Sequence, residues 1–122
     1  MIHKYKKYYI PQVDEFDCGV ASLAMILKHY GSSVSLAYLR KIAKTTMEGT
    51  TALGIVKTAQ ELGLETQAVK ADMSLFEMKD ITYPFIAHVI KNGTLLHYYV
   101  VLKATSKYIL IADPAQEVGI TK

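Results

Sequence analysis

The sequence predicts an α+β fold, with an N-terminal helical layer packed on a C-terminal antiparallel β-sheet. Three observations carry this. Up to about residue 62 the apolar residues recur every three or four positions, the spacing of helices with one buried face. From residue 64 onward the period changes to two, which marks strands. The two regimes are segregated along the chain, so two separate layers are expected rather than one mixed one.

At 122 residues the chain is a little under one ordinary domain of about 150 residues. It reads as a single domain over 1–122. A chain of this size buries roughly two thirds of the surface it exposes when unfolded, enough for a real core. With 51% hydrophobic residues, seven Gly and three Pro, the disordered, collagenous and low-complexity classes are excluded. Fourteen Lys and Arg against eleven Asp and Glu leave a net charge of +3, too modest to imply nucleic acid. The apolar runs fall short of the roughly 18 residues that span a bilayer, and no signal peptide opens the chain. Cys18 is the only cysteine, so no internal disulfide is possible and a reducing compartment is favoured.

Residues 1–10, MIHKYKKYYI, interleave Lys4, Lys6 and Lys7 with Tyr5, Tyr8 and Tyr9. On one short arm of a nearly neutral chain this reads as an edge segment packing its tyrosines on the body, not as a nucleic-acid patch. From Asp14 to Gly31, Val20, Leu23, Ala24, Leu27 and Tyr30 fall on one helix face, with Asp14 or Asp17 to cap its start and Gly31 to end it. A second helix spans Ser35 to Ala43 behind a Ser N-cap. A third runs from Thr51 to Leu62 and stops at Gly63. Strands follow over Leu64 to Val69, Pro84 to Lys91, Leu95 to Lys103 and Tyr108 to Asp113, with a turn or short helix led by Ser74 after the first. Asn92-Gly93 is the signature of a two-residue hairpin turn, and Pro114 forbids continuation of the last strand.

Cys18 falls on the first turn of the first long helix, where unpaired amides and the helix dipole favour a thiolate. A lone cysteine is more often a small buried hydrophobe, so its chemistry depends on what the sheet brings to it. A two-residue tip at Asn92-Gly93 sets His97 opposite His88. A three-residue tip over Ala104–Ser106 sets Asp113 opposite His97 on the other neighbouring strand, with both side chains on one face, whereas a two-residue tip would shift this by one and make the pair diagonal and weaker. A carboxylate there fixes the tautomer and orientation of the imidazole, the third role in a nucleophile, base and orienter system. The order Cys, His, Asp, with the cysteine on a helix start, is the papain-like arrangement. Gln12 lies six residues before Cys18 in a segment fixed by Pro11. From there its amide can face the space before the thiol, as an oxyanion donor beside the Cys18 backbone amide. His88 is the rival to His97, but only the strand between two neighbours can face Asp113. The four histidines and Cys18 show no compact ligand spacing, so no metal is assigned. Met25, Met47, Met73 and Met78 read as core or groove packing, and no phosphate-binding loop is present.

Four separated stretches, PQVDEFDCGVASLAMILKHYG, GTTALGIVKTAQELGLE, LLHYYVVL and IADP, together resemble the double-glycine leader peptidase domain of bacteriocin and peptide-pheromone exporters. The resemblance runs over nearly the whole chain. It implies a papain-like cysteine protease in which Cys18 is the nucleophile, His97 the general base and acid, Asp113 the group that orients His97, and Gln12 the oxyanion donor. No cofactor is implied. The implied substrate is a precursor peptide cut after a Gly-Gly or Gly-Ala pair, with an amphipathic helical leader seated on an apolar groove whose place the sequence does not fix. The implied neighbours are the transmembrane and nucleotide-binding portions of an exporter, which would set the domain at the cytoplasmic face of the membrane without inserting into it. Two other readings use the same residues: a papain-like acyl transferase or amidase, and a leader-binding module without turnover. The presence of Cys18 speaks against the second.

Overall fold

The computed structural model describes residues 3–70, 72–77, 81–91, 95–115 and 119–121. A short helix α1 (His3–Lys6) precedes three longer ones, α2 (Cys18–His29), α3 (Leu36–Ala43) and α4 (Ala52–Glu61), and a 3-10 turn over Met73–Glu77 leads into the sheet. The sheet is a four-stranded antiparallel meander of β1 (Phe85–Lys91), β2 (Leu95–Ala104), β3 (Ile109–Ala112) and β4 (Gly119–Thr121), in that spatial order. Helices first and an antiparallel sheet second is the expected α+β order.

The helices start and stop where their capping residues dictate. Ser35 and Thr51 accept hydrogen bonds from the backbone amides of Tyr38 and Gly54, satisfying donors that have no partner within the first turn. Gly31, with φ +94°, ends α2 in a paired closure. Its amide donates to the Lys28 carbonyl and that of Ser32 to the Leu27 carbonyl, a turn that needs the left-handed region. Asp17 occupies the N-cap position of α2 but makes no capping bond there.

Helix α2 is the hub, buried without interruption from Cys18 to Leu27. A helix apolar on all sides must be covered on all sides. Val20, Leu23, Ala24 and Leu27 pack on Leu39, Ala43 and Ala59 of α3 and α4. On its other flank Met25 and Ile26 meet Val100, Leu102, Leu110 and Ala112 of the sheet. At about 1.5–3 kcal/mol per large apolar side chain, these two contacts bind both layers to one helix, whose first residue is Cys18.

Several expectations need correction. Residues 64–69 form no strand: after the turn at Gly63 only Leu64 packs on the cores, Val69 is exposed, and Thr66 is held by the Gln60 side-chain amide at 2.8 Å. Without a ladder partner, alternation alone does not make a strand. The N-terminal arm packs Tyr5 and Tyr9 on the body as expected, but its backbone is a helical turn. The three-residue β4 carried no periodic signal of its own. In the first hairpin Lys91 pairs with Leu95, so three residues rather than two separate the strands, and His97 pairs with Val89 while His88 pairs with Tyr98. The expected Asn92-Gly93 tip itself lies outside the described residues. In the second hairpin Ala104 pairs with Ile109 and a β-bulge falls between Val101 and Lys103. The turn therefore holds four residues, closed by the Thr105 amide on the Tyr108 carbonyl at 2.8 Å.

Candidate active site

Three elements converge on one point. Cys18 is the first residue of α2, His97 lies near the start of β2, and Asp113 follows the last residue of β3. All three are buried, at 8%, 5% and 5% exposure. The His97 Nε2 lies 2.7 Å from the Asp113 Oδ1, and that oxygen also accepts the Ala115 backbone amide at 2.9 Å. The His97 ring and the Cys18 thiol also act on one another, the ring lowering the thiol and the sulfur raising the imidazole, and with Nε2 on the carboxylate Nδ1 is the nitrogen left for sulfur. Asp113 is not directly opposite His97, as the expected register had it. Continuing the pairing of Val100 with Ala112 sets Asp113 across from Tyr99, a diagonal neighbour of His97 on the same face, within reach of a side chain of this length.

The electrostatics follow from this geometry. The Asp113 carboxylate, with the Cys18 sulfur second, pushes His97 up from 6.5 to about 9 against the opposing effect of burial. Burial pushes the Cys18 thiol up, but the His97 hydrogen bond and the backbone amides of Tyr98 and Gly19 outweigh it and bring the thiol below its ordinary 9.0. The two shifts run in the direction of an imidazolium–thiolate pair, each group favouring the charged form of the other. Tyr98 is pushed up to about 12, first by its burial and then by the sulfur's charge.

Gln12 is brought to the Asp113 end of the cluster through its backbone, whose amide donates to the Pro114 carbonyl at 2.9 Å. Its side-chain oxygen is buried without a hydrogen-bond partner. His88, the rival imidazole, is exposed and stacked flat on Tyr98 with ring centroids 4.0 Å apart. The one-residue change in the first hairpin puts it on the face opposite His97. Among the described residues no three His, Cys, Asp or Glu side chains come together as metal ligands.

Sequence reasoning missed the parts that five residues play here. Tyr98 packs on Cys18 and Ile55 and donates its hydroxyl to the Thr50 carbonyl at 2.8 Å. Gly19 is the residue over which Tyr98 lies, and an added Cβ would come 3.1 Å from that ring. Tyr9 donates its hydroxyl to the Asp113 carbonyl at 2.8 Å. The Asp17 carboxylate is fully buried against the Arg40 guanidinium of α3. Adjacency to Cys18 and His97 was the available signal for Gly19 and Tyr98. Arg40 had none.

The family model of the Peptidase C39 family matches residues 6–122. The chain belongs to that family. As a C39 peptidase domain it is 61% identical over 117 residues to the transport/processing ATP-binding protein ComA of Streptococcus pneumoniae, and 62% identical over 122 residues to the mesentericin-Y105 transport/processing ATP-binding protein MesD of Leuconostoc mesenteroides. These matches take in 96% and 100% of the chain but only 16% and 17% of those proteins. Among solved structures, the peptidase domain of Streptococcus ComA superposes with a TM-score of 0.86 at 53% identity, over 92% of this chain and 83% of that one. A double-glycine motif protease from an AMS/PCAT transporter, in complex with the leader peptide, gives 0.82 at 32% identity over 92% and 76%. The α+β architecture and the cysteine peptidase class are those of this family. No helix among the described residues is long and apolar enough to cross a membrane.

Proposed function

We propose that residues 1–122 make up one peptidase domain that removes the leader from a bacteriocin or pheromone precursor after a double-glycine pair, in concert with the exporter portions of a longer protein at the cytoplasmic face of the membrane. The observation that carries this reading is the alignment of His97 between Cys18 and Asp113, with Nε2 on the carboxylate at 2.7 Å and the other ring nitrogen left for sulfur. It is supported by relatives named as transport and processing proteins and by a structural neighbour solved with its leader peptide.

In this mechanism the Cys18 thiolate attacks the carbonyl carbon of the glycine before the scissile bond, and the carbonyl electron pair moves onto oxygen. The Cys18 backbone amide and the Gln12 carboxamide donate to that oxyanion. His97, protonated at Nδ1, gives its proton to the leaving amine as the C–N bond breaks, leaving a thioester on Cys18. A water molecule then gives a proton to His97 and its hydroxide adds to the thioester. Collapse expels the thiolate and frees the leader carboxylate. Asp113 holds the Nε2 proton throughout, fixing the ring so that Nδ1 serves both half-reactions. Glycine suits a site with so little exposed surface at the thiol, since a branched side chain would overpack it. The test is incubation with a panel of double-glycine precursors, read by mass spectrometry. Cleavage after the glycine pair by the wild type, absent from Cys18→Ala, is the expected result. Cleavage retained by Cys18→Ala refutes the assignment.

A further inference from the structure

The residue before Cys18 carries a buried charge that the mechanism above does not use. The Asp17 side chain is 0% exposed. Its two oxygens accept from Arg40, Oδ1 from Nε and Oδ2 from Nη2, both at 2.8 Å, and Oδ2 also accepts the Asp14 backbone amide at 3.1 Å. Arg40 extends from α3, which is fixed by Leu39 and Ala43 in the core and by the Ser35 cap. Its planar fork meets both carboxylate oxygens at once, which the single ammonium of a lysine does not do.

Position alone would send this carboxylate elsewhere. An aspartate at the N-cap ordinarily accepts from the second or third amide of its own helix. Asp17 makes no such bond. The same first-turn amides lie beside Cys18, the first residue of α2, and the Gly19 amide is among the groups that lower its thiol. A carboxylate swung onto them would compete for the same donors and oppose the thiolate by like charge.

We propose that Arg40 is a positioning residue: by taking both oxygens of the Asp17 carboxylate, it keeps that group off the first turn of α2 and leaves the turn's amides to the Cys18 sulfur and the oxyanion formed beside it. The inference rests on the nucleophilic role of Cys18 and adds the device that keeps its anion site free. A carboxylate next in sequence to the nucleophile thus becomes an anchor on α3 instead of a competitor.

Because Cys18 is the only cysteine, alkylation by iodoacetamide reads this thiol alone and needs no substrate. Alkylation rates from about pH 5 to 9, with kcat and KM on a double-glycine leader peptide, are compared for wild type, Arg40→Gln and the double variant Asp17→Ala/Arg40→Gln, each checked for folding by circular dichroism. Arg40→Gln is expected to move the alkylation midpoint to higher pH and lower kcat about tenfold or more, with KM within about twofold. The double variant is expected to recover most of the midpoint, because the competing carboxylate is gone. A salt bridge that only stabilises the fold would leave the midpoint unmoved in both. A folded Arg40→Gln with wild-type midpoint and kcat overturns the proposal, as does a double variant no better than the single one. Should Arg40→Gln not fold, Arg40→Lys, whose single ammonium cannot hold both carboxylate oxygens, takes its place: a midpoint moved to higher pH supports the proposal and an unmoved one overturns it. Retained cleavage by Cys18→Ala would instead overturn the nucleophile assignment, whatever the Arg40 variants show.

Discussion

Replacing Asp113 by asparagine isolates the contribution of one charge. The side chain keeps its size and an oxygen for the His97 Nε2–H, but the carboxylate 2.7 Å away is gone. Raising His97 from 6.5 to about 9 corresponds to a preference of about 3 kcal/mol for the imidazolium, with Asp113 the largest contributor and Cys18 next. A charge-assisted hydrogen bond is roughly twice as strong as a neutral one, so the substitution should remove about half of that preference. The sign is fixed by the direction of the shift. The imidazolium is present below its raised value and lost as pH rises through it, so activity that needs the ion pair has a basic limb near 9 in the wild type. In Asp113→Asn that limb should fall by about one pH unit or more, and kcat/KM at neutral pH should drop on the order of 10²-fold. Initial cleavage rates from about pH 5.5 to 10, paired with iodoacetamide alkylation of Cys18, give both numbers. A variant with the wild-type basic limb and kcat/KM would show that the carboxylate neither holds the imidazolium nor orients it.

Three further outcomes test the scaffold. Gly54→Ala should lower stability by roughly 1–3 kcal/mol in urea unfolding, because the new Cβ would lie 2.8 Å from the Ala43 backbone carbonyl oxygen, where α3 and α4 meet. Leu39→Ala, which empties a fully buried site between α2 and α3, should cost about 2–5 kcal/mol by the same measurement. Tyr9→Phe keeps the ring but removes the hydroxyl that meets the Asp113 carbonyl; a loss of about 1 kcal/mol is expected, with cleavage reduced less than in Asp113→Asn.

The helical half was legible because its signals are local. The apolar spacing of α2, α3 and α4, the hydroxyls of Ser35 and Thr51 and the turns at Gly31 and Gly63 all act within a few residues of one another, and each boundary fell within about a turn of its expected place. Signals that depend on a distant partner failed. Leu64 to Val69 has the alternation of a strand, but among the described residues no neighbouring strand takes up its backbone bonds. Asp17 has the chemistry of a cap, but a guanidinium 23 positions away offers its carboxylate two stronger bonds. Tyr98 enters the site by laying its ring on Cys18 and Ile55 and its hydroxyl on the Thr50 carbonyl 48 positions away, partners that its own neighbourhood in the sequence does not announce.

The histidine and the carboxylate were legible for a different reason, which is parity. Side chains alternate across a sheet, so a pairing error of one residue reverses a face and an error of two preserves it. The first hairpin differs from expectation by one, and His88 accordingly lies on the face opposite His97. Beyond Val101 the second hairpin differs by two, and Asp113 remains on the His97 face, displaced along the strand to the diagonal position. That even displacement is created by the bulge. Near the turn, Lys103 pairs with Leu110 and Ala104 with Ile109; carried on unbroken, the same register would set Asp113 across from Val100 and leave His97 on the opposite face. Leu102 is the extra residue, accommodated between Val101 and Lys103 while its side chain stays in the core. It shifts the rest of β2 by one position against β3, turning Val100 onto the apolar face with Ala112 and His97 onto the face of Asp113, where the carboxylate supports the imidazolium. The irregularity in the sheet is therefore part of how this chain brings a carboxylate to its histidine.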